Sequence, residues 1–356
     1  MSGLAGRTIL LTGASGVLGH ALAARLRTAN LVCLTRGRPI AEATESVTGD
    51  VTQPRLGLDR QAYQRLTARV DAVVHCAAVT DFRADPDVIT ATNVTGVGHV
   101  LEFAATAGAP LYHMSTAFRD SAERGATGMA GLAYAKSKSA GEEVVRASGL
   151  PHVILRPSIV IGDALTGEIL RFQSFYYIAS AGLAGWLPLV PFGEDWVVDF
   201  IPQSTVADIV ARLIERDVRR VDDVGPAQRA GESVLWLTAG TTALTVKDVS
   251  DEILALAVRN AREEPPRPKY ANPDLYLRLI APVFLPSLPF AMRKTVSLMF
   301  DYLSAYLVGS DPYPCDLPWL CRWLDMPDPP DTRVAYARSL DYWAVRSGYA
   351  SVEAMA

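Results

Sequence analysis

Short, continuous apolar runs alternate with longer segments of helical hydrophobic spacing in the first half of the chain. The runs predict buried strands at 8–11, 31–34, 70–76, 110–114 and 153–155. Segments such as 18–26 and 88–107 carry apolar residues at helical intervals and predict the helices between them. Strands that are apolar at every position are typical of a parallel sheet covered on both faces. With right-handed crossovers, this pattern predicts an α/β fold with a doubly wound parallel sheet.

Composition narrows the function classes. The 356 residues are 49% hydrophobic, which is enough for a sizeable core, and 34 basic against 38 acidic residues give a formal net charge of -4. A chain without a basic field does not hold a polyanion, so we expect no nucleic-acid partner. The four cysteines suit neither a disulfide framework nor a metal site, so we expect no metal and a cytoplasmic protein. We interpret Cys76 as a packed thiol rather than an acyl acceptor, since nothing near it in sequence lowers its pKa.

No apolar segment predicts a membrane-spanning helix. The N-terminal run breaks at the glycine-rich residues 13–16 and has no signal-peptide cleavage site behind it. The most apolar later stretch, 279–292, contains three prolines and is too short to cross a bilayer. The aromatic tract at 270–306 leaves peripheral contact with a membrane surface open as an alternative, although it has few basic residues.

A glycine-rich turn, TGASGVLG at 12–19, separates the first predicted strand from the first predicted helix. Glycines at such a turn let backbone N–H groups approach a pyrophosphate at the positive end of the helix. The spacing is G-x2-G-x2-G, and its place between strand and helix favours a dinucleotide over a turn without a ligand. The cofactor-binding candidates here are Gly13, Ser15, Gly16, Val17, Leu18 and Gly19.

The end of the second predicted strand favours NADPH as the cofactor. NAD-preferring sites usually place a carboxylate there, whereas this chain has Arg36, which suits a 2′-phosphate. A solvated loop arginine is the alternative interpretation. Further cofactor-binding candidates are Asp50, Val51, Ala77, Ala78 and Asn93. An ordinary glycine turn at 49–52 and a plain helix residue at 93 stay open as alternatives.

A tyrosine and a lysine four residues apart predict the catalytic centre. Tyr134 and Lys138 lie on one face of a predicted helix, where an ammonium close to a phenol favours the phenolate and eases proton exchange with a carbonyl oxygen. Ser115 and Thr116 end a predicted strand, where a hydroxyl can donate a second hydrogen bond to a developing oxyanion. This spacing alone is usually found in a pair of surface residues on a helix. The glycine turn and the hydroxyls elsewhere in the chain favour the catalytic interpretation over that alternative.

The pattern changes after Gly162. Residues 164–195 are rich in aromatic residues, glycine and proline, a strand-like run follows at 234–237, and Thr245 with Asp248 predicts a capping box at the start of a helix. We expect a Rossmann-like, dinucleotide-binding domain at 1–162, completed by about 200–245. An interleaved, mostly helical substrate-binding region is expected at 163–199 and 246–356.

Three segments resemble a known family. The glycine turn, Ser115-Thr116 and Tyr134-x3-Lys138 look like the extended short-chain dehydrogenase/reductase superfamily. Within it, HMSTAF at 113–118, YAKSKSAGE at 134–142 and LRPSIVIGDALTG at 155–167 resemble the thioester reductase and fatty acyl-CoA reductase branch. The resemblance covers roughly residues 7 to 250.

The resemblance implies an NADPH-dependent reduction of an acyl thioester to an aldehyde, with onward reduction to an alcohol left open. Thr116 would donate a hydroxyl hydrogen bond, with Ser115 as the alternative hydroxyl, Tyr134 would be the acid, and Lys138 would activate it and bind the nicotinamide ribose. Pro157, Ser158 and Ile159 would form a wall beside the nicotinamide. We expect the thioester to arrive as a CoA ester or on an acyl carrier protein in trans.

Two other functions stay open at this point. The same tyrosine and lysine serve sugar-nucleotide epimerases or dehydratases and hydroxysteroid-type dehydrogenases of the superfamily. A non-catalytic dinucleotide-binding scaffold is the second alternative. Arg36 argues against an epimerase, which retains NAD, and an intact Tyr134 and Lys138 argue against a pure scaffold.

Overall fold

A seven-stranded parallel sheet forms the centre of the computed structural model. The structure describes residues 3–81, 84–120, 129–172, 174–220, 234–290, 293, 297, 300, 303, 306–307 and 309–350. Each pair of neighbouring strands in this sheet is parallel.

Helices cover both faces of this sheet, and all of its strands except the edge strand at 45–48 are mainly apolar. The strands are β1 (Thr8–Thr12), β2 (Asn30–Thr35), β3 (Glu45–Thr48), β4 (Ala72–His75), β5 (Leu111–Met114), β6 (His152–Pro157) and β11 (Val234–Leu237). They lie in the order β11-β6-β5-β4-β1-β2-β3, which reverses between β1 and β4, where a crevice for a ligand opens in doubly wound sheets. Shorter strands pair outside the sheet: β7 (Ile159–Ile161) with β10 (Phe200–Pro202), β9 (Val197–Val198) with β12 (Leu244–Thr245), and β8 (Leu189–Val190) with β13 (Lys269–Tyr270).

Helices pack around the sheet and around the segments that follow it. They are α1 (Val17–Leu26), α2 (Arg60–Thr67), α3 (Pro86–Thr90), α4 (Gly96–Ala107), α5 (Met129–Ala147), α6 (Ser174–Leu183), α7 (Gln203–Glu215), α8 (Val246–Arg259), α9 (Pro273–Leu275), α10 (Ala281–Ser287), α11 (Leu317–Trp323) and α12 (Thr332–Arg346). A π-helical turn, Ala91–Thr95, joins α3 to α4, and a 3-10 turn, Ala117–Asp120, follows β5. Both turns border the site described below.

Three hydrophobic clusters hold these layers together. One cluster packs α1 and α7 on one face of the sheet, a second packs α4 against β2, β4 and β5 on the other face, and a third joins α6, α8 and α12. The third cluster is rich in aromatic contacts, such as the stacked rings of Phe200 and Tyr336, 4.8 Å apart. The core of the second half is therefore built largely from aromatic side chains.

The predicted fold class is confirmed. Each apolar run predicted as a strand forms one, and the run at 234–237 becomes β11 beside β6. The predicted capping box is also present, because Thr245 accepts from the backbone N–H of Asp248, and the Asp248 carboxylate accepts from that of Thr245. β3 is the strand that the pattern missed, since Glu45–Thr48 holds a single apolar residue and is half exposed at the sheet edge.

Within the described part of the chain, no helix has the length and apolar character needed to cross a bilayer. The predicted helical region at 246–356 includes residues 351–356, which lie outside the described residues. The same is true of part of the predicted aromatic tract around residue 300.

Candidate active site

The glycine turn between β1 and α1 is shaped by two close backbone approaches. Gly13 has φ +77°, and a Cβ there would lie 2.5 Å from the backbone nitrogen of Ala77. A Cβ on Gly19 would lie 2.0 Å from the carbonyl oxygen of Gly13. Only glycine fits both positions, because the contacts are with backbone atoms that cannot rotate away. The turn therefore packs directly against the end of β4 and the first turn of α1.

A groove of about 600 Å³ lies above this turn at the carboxyl ends of the strands. Nine of the predicted cofactor-binding residues line it: Gly13, Ser15, Gly16, Val17, Arg36, Asp50, Val51, Ala77 and Ala78. The other predicted cofactor residues, which are Leu18, Gly19, Asn93, Ser115, Pro157, Ser158 and Ile159, are not among its lining residues. The groove thus collects residues from four separate segments at the place where the strand order reverses.

The geometry of the turn fits a dinucleotide. The helix α1 begins after Gly16, and no described side chain caps its first turn. Its N–H groups therefore face the groove side without a side-chain acceptor, and the positive end of the helix favours an anion there. Because Gly13 and Gly19 have no Cβ atom, the turn lies close against β4 and α1 and leaves space for a pyrophosphate. This chain's own residues thus provide the cradle that an NAD(P) pyrophosphate needs.

The far end of the groove follows β2 and β3. Arg36 is exposed there, directly after Thr35, and lines the groove. The Asp50 carboxylate accepts hydrogen bonds from the N–H and the hydroxyl of Thr52, both at 2.9 Å, and these bonds hold the loop after β3 in shape. Asp50 also lines the groove. No carboxylate stands at the end of β2 itself.

Asn93 connects the groove to helix α5. Its amide exchanges two hydrogen bonds with the backbone of Val79, at 2.8 and 3.0 Å, and Val79 lines the groove. Its Nδ2 also donates to Ser137 Oγ at 3.0 Å, and Ser137 in turn donates to the carbonyl oxygen of Tyr134. A Cβ at Gly141 would lie 2.7 Å from the Asn93 carbonyl oxygen, so α5 packs closely on the π-helical turn. Asn93 therefore supports the helix that carries Tyr134.

Tyr134 and Thr116 meet beside the groove, and Lys138 lies one helical turn beyond the tyrosine on α5. Tyr134 and Thr116 are joined by a side-chain hydrogen bond, and Thr116 Oγ1 also accepts from the N–H of Phe118 at 3.3 Å. Lys138 is 3% exposed and donates from Nζ to the carbonyl oxygen of Met114 at 2.5 Å. Cys76, which lines the groove, lies within electrostatic range of both Tyr134 and Lys138. The packing of the sheet against α5 thus places the Thr116 hydroxyl near the helix that carries the phenol and the amine, which lie 18 and 22 residues further along the chain.

Burial decides the ionisation of these groups. Burial raises the pKa of Tyr134 to about 12, and the hydrogen bond with Thr116 only partly opposes it. The pKa of Lys138 is lowered by burial to about 8, against the influence of Cys76 and Glu142. The spacing of Tyr134 and Lys138 predicted that the ammonium favours the phenolate, whereas the raised pKa keeps the phenol protonated at neutral pH. A protonated phenol beside a hydroxyl is suited to donating a proton and a hydrogen bond to one substrate oxygen.

Cys76 borders the groove, but its thiol is not ionised at neutral pH. Burial raises the pKa of its thiol to about 11, and the nearby Lys138 only partly opposes this. A thiol with so high a pKa is a weak nucleophile at neutral pH. This agrees with the interpretation of Cys76 as a packed thiol.

The two hydroxyls have different partners. The Ser115 hydroxyl is buried and donates to Oε1 of Glu142 at 2.5 Å, so it is already engaged within the protein. The hydroxyl of Thr116, the next residue, is hydrogen-bonded to Tyr134. Of the two hydroxyls that the sequence left open, Thr116 is therefore the one in contact with the tyrosine.

Pro157, Ser158 and Ile159 lie at the junction of β6 and β7. The N–H of Ser158 donates to the carbonyl oxygen of Leu237, and the N–H of Ile159 donates to that of Asp199, both at 3.1 Å. These bonds fix the segment between the main sheet and the pair β7 and β10. Their role as a wall beside a nicotinamide stays a prediction.

Residues from the second half of the chain also border the groove, and no sequence pattern predicted them as site residues. Arg171 donates from its guanidinium to the carbonyl oxygen of Ser15 at 2.6 Å, and Phe172 and Tyr306 line the groove beside it. The ring of Tyr306 packs edge-on against Phe118, 4.6 Å away. These residues belong to no local motif, so only the path of the chain through space could have identified them.

Comparison with known proteins agrees with this arrangement. Residues 39–210 match the model of a family described as Male sterility protein. The chain is 30% identical over 241 residues, 62% of its length, to a hybrid PKS-NRPS synthetase of Talaromyces variabilis. It is 29% identical over 237 residues, half of its length, to the carboxylic acid reductase of Mycobacterium marinum. The chain spans 6% and 20% of these two relatives, respectively.

A solved structure shares the fold over almost the whole chain. The terminal R domain of the myxalamid PKS-NRPS biosynthetic pathway superposes with a TM-score of 0.70 and 21% identity. The superposition covers 98% of this chain and 92% of that domain. At this identity the likeness concerns the fold, and it extends to the C-terminal helices, beyond the residues 7 to 250 that the sequence resemblance covers.

Proposed function

We propose that this chain is a member of the thioester reductase branch of the extended short-chain dehydrogenase/reductase superfamily, a family of NAD(P)-binding oxidoreductases, and that it reduces an acyl thioester to an aldehyde with NADPH. The observation that carries this proposal is the hydrogen-bonded pair of Thr116 and Tyr134 beside Lys138, next to the dinucleotide groove. Relatives that include PKS-NRPS synthetases and a carboxylic acid reductase support a thioester substrate on a carrier protein or on CoA.

The chemistry follows from the placement of the protein groups. When bound, NADPH supplies the hydride that the thioester carbonyl carbon receives. Thr116 Oγ1 and Tyr134 Oη hold the carbonyl oxygen, and Tyr134 transfers its proton to that oxygen as negative charge develops there. The resulting thiohemiacetal breaks its carbon–sulfur bond, releases the thiol and leaves the aldehyde. The Lys138 ammonium donates a hydrogen bond to the Met114 carbonyl oxygen and keeps a positive charge one helical turn from Tyr134 while the tyrosine gives up its proton.

The test of this function is NADPH consumption with a panel of acyl-CoA and acyl-carrier-protein thioesters, with detection of the aldehyde and of the free thiol. UDP-sugars and hydroxysteroids serve as competing substrates. We expect turnover with thioesters and the release of one thiol per aldehyde. An enzyme that acts on a UDP-sugar or a hydroxysteroid and on no thioester would contradict the proposal, and a balance of two NADPH per thiol would indicate onward reduction to the alcohol.

Arg36 supports NADPH rather than NADH as the preferred cofactor. Replacing it in an Arg36→Ala variant removes a cation from the position where a 2′-phosphate would lie. Hydrogen bonds to charged groups contribute about 1.5–3 kcal/mol, so we expect the Kd for NADPH to rise about 10- to 100-fold and the Kd for NADH to stay nearly constant. The measurement is a titration of both cofactors by nicotinamide fluorescence.

Arg38 provides the matched control for this prediction. It is an exposed arginine two residues further along the same loop and is not among the residues that line the groove. Arg38→Ala should bind both cofactors as the parent does. Equal losses in the two variants would mean that general charge, and not a specific phosphate contact, governs the affinity.

The lysine should limit activity at alkaline pH. The active form of Lys138 is the ammonium, and the pKa of this group, lowered by burial to about 8, lies where the ammonium is lost as pH rises. We therefore expect kcat/KM to be constant below about pH 8 and to fall about tenfold per pH unit above it, since kcat/KM reports the free enzyme. Arginine stays protonated over this range, so Lys138→Arg should lose this alkaline limb even where its overall rate is lower.

Lys136 is the control for the pH profile. It lies on the same helix, two residues away, and is exposed. Lys136→Arg should keep the alkaline limb of the parent. A limb that persists in Lys138→Arg would assign the titration to another group.

A further inference from the structure

A buried carboxylate lies on helix α5 one turn beyond Lys138 and two turns beyond Tyr134. Glu142 has a side chain that is 0% exposed, and both of its oxygens accept hydrogen bonds. Its partners are one hydroxyl and three guanidinium groups: Ser115 at 2.5 Å, Arg156 at 2.7 and 2.8 Å, Arg146 at 2.7 Å and Arg119 at 3.0 Å. The sequence resemblance included this glutamate only as the last letter of a motif.

The cluster is built to hold a charge in the interior. Burial by itself would raise the pKa of Glu142, but the guanidinium of Arg156 and the other donors bring it down to about 2. The carboxylate is therefore ionised at every pH at which the protein is handled. Arg156 is itself 4% exposed and stacks over the ring of Trp236, 4.6 Å from its centroid. Such a network is fixed in space, since each of its members would be left buried without a partner if it moved.

The network reaches the segment around Thr116 from both sides. Ser115 precedes Thr116 and donates to Glu142, while Arg119 follows it and donates to Glu142 at 3.0 Å. Arg119 also donates to Ser139 Oγ at 2.9 Å, on the same helix. The segment that carries Thr116 is thus tied at both ends to the helix that carries Tyr134.

We propose that Glu142 is a positioning residue that sets the distance between Thr116 and Tyr134 by holding Ser115 and Arg119 against helix α5. The proposal rests on the proposed function, in which Thr116 and Tyr134 bind the same substrate oxygen. Glu142 does not line the groove, so it acts through its neighbours rather than on the substrate. Its removal should separate the two hydroxyl groups, and small misplacements of reacting groups cost up to about 100-fold in rate.

Glu142 also contributes to the charge on Lys138. Glu142 on α5 raises the pKa of this lysine against its own burial, and Cys76 also lies near it, at the end of β4, as a thiol that is neutral below its own pKa of about 11. The imidazoles of His75 and His113 face it from β4 and β5, and burial lowers the pKa of His75 to about 3 and that of His113 well below its usual value, so both are neutral. Without the carboxylate, the remaining arginines would favour the neutral amine. The alkaline limb of the pH profile should then move to lower pH.

The experiment compares Glu142→Gln with Glu143→Gln, which makes the same substitution at the next residue of the helix, where the side chain is exposed. For Glu142→Gln we expect kcat to fall about 10- to 100-fold, the NADPH Kd to stay within about twofold, and the alkaline limb to shift to lower pH. Glu143→Gln should match the parent in all three. A Glu142→Gln protein that is less stable but keeps the parent kcat and pH profile would reduce Glu142 to a structural role and overturn the proposal.

A second variant guards against loss of folding. Ser115→Ala removes one hydrogen bond to Glu142 and leaves the carboxylate and its three arginines in place. We expect a smaller fall in kcat than in Glu142→Gln, with the alkaline limb unchanged because the charge is retained. A Ser115→Ala protein with the parent kcat would show that Ser115 does not hold Thr116 in position.

Hydrogen exchange tests the positioning without any turnover. Backbone amides at 115–119 should exchange faster in Glu142→Gln and in Ser115→Ala than in the parent and in Glu143→Gln. If the parent reduces no thioester, the proposed function fails, and the exchange result still decides whether Glu142 fixes this segment. Equal exchange in all four proteins would overturn the positioning proposal even if the enzyme is an active thioester reductase.

Discussion

A Tyr134→Phe variant is expected to lose about 10²- to 10⁴-fold in kcat while binding NADPH with the Kd of the parent. The change removes the hydroxyl group, which is the proposed proton donor, and keeps the aromatic ring of residue 134. Proton transfer by a positioned side chain is typically worth this factor. The burial that raises the pKa of Tyr134 to about 12 keeps the phenol protonated, so its loss should be felt across the neutral range. Steady-state kinetics with the best thioester and a fluorescence titration of NADPH measure the two quantities.

Tyr177 is the matched control for this prediction. It is a tyrosine on α6 with 67% of its surface exposed, so Tyr177→Phe makes the same change outside the site. Its kcat and NADPH affinity should equal those of the parent. A Tyr134→Phe enzyme that reduces thioesters at the parent rate would refute the assignment of Tyr134 as the acid and, with it, the mechanism proposed for this chain.

A Gly19→Ala variant is expected to lose both stability and dinucleotide binding. Alanine in a helix is ordinarily about 1 kcal/mol better than glycine. At position 19, however, the new Cβ would lie 2.0 Å from the carbonyl oxygen of Gly13, so the glycine turn has to move away from α1. Overpacking of this kind costs about 1–3 kcal/mol, and a displaced turn no longer presents its N–H groups to a pyrophosphate. Thermal unfolding and NADPH titration record the two losses.

Gly98 is the control that shows whether a glycine-to-alanine change in a helix stabilises or destabilises this protein. It lies within helix α4, and a Cβ there would meet no other atom within 4 Å. Gly98→Ala should therefore stabilise the protein by about 1 kcal/mol and leave NADPH binding unchanged. If Gly19→Ala behaved like Gly98→Ala, the glycine turn would be looser than the structure indicates and would not form the pyrophosphate cradle.

The candidate site could be predicted in part because its residues lie in local motifs. The glycine turn and Arg36 each follow a strand that the apolar runs had identified, and the carboxyl ends of parallel strands meet at one edge of a sheet. Asp50 follows β3, which the apolar runs did not identify. Tyr134 and Lys138 share a helix face by their spacing alone. Which of the two hydroxyls before them meets the tyrosine was not decided by the sequence, because adjacent Ser115 and Thr116 differ only in their tertiary partners, Glu142 and Tyr134.

The remaining features depend on contacts between distant segments. Arg171 reaches the glycine turn across 156 positions of sequence, and no periodicity or motif marks such a contact. The ionisation of Tyr134 was also misjudged, since the spacing to Lys138 is visible in the sequence whereas the burial that dominates the pKa is not. The division into a sheet domain and an interleaved helical region stays a prediction.

The sequence by itself determined the α/β class, the glycine turn, and the tyrosine and lysine on one helix face, since each follows from residues close along the chain and from hydrophobic periods of known length. Only the tertiary structure decided that Thr116 contacts Tyr134 and that Ser115 is held by Glu142 among three arginines. It also brought Arg171 and Tyr306 to the groove. The physical reason is that these contacts are set by how the sheet and helices pack, and packing joins segments whose separation along the chain carries no local signal.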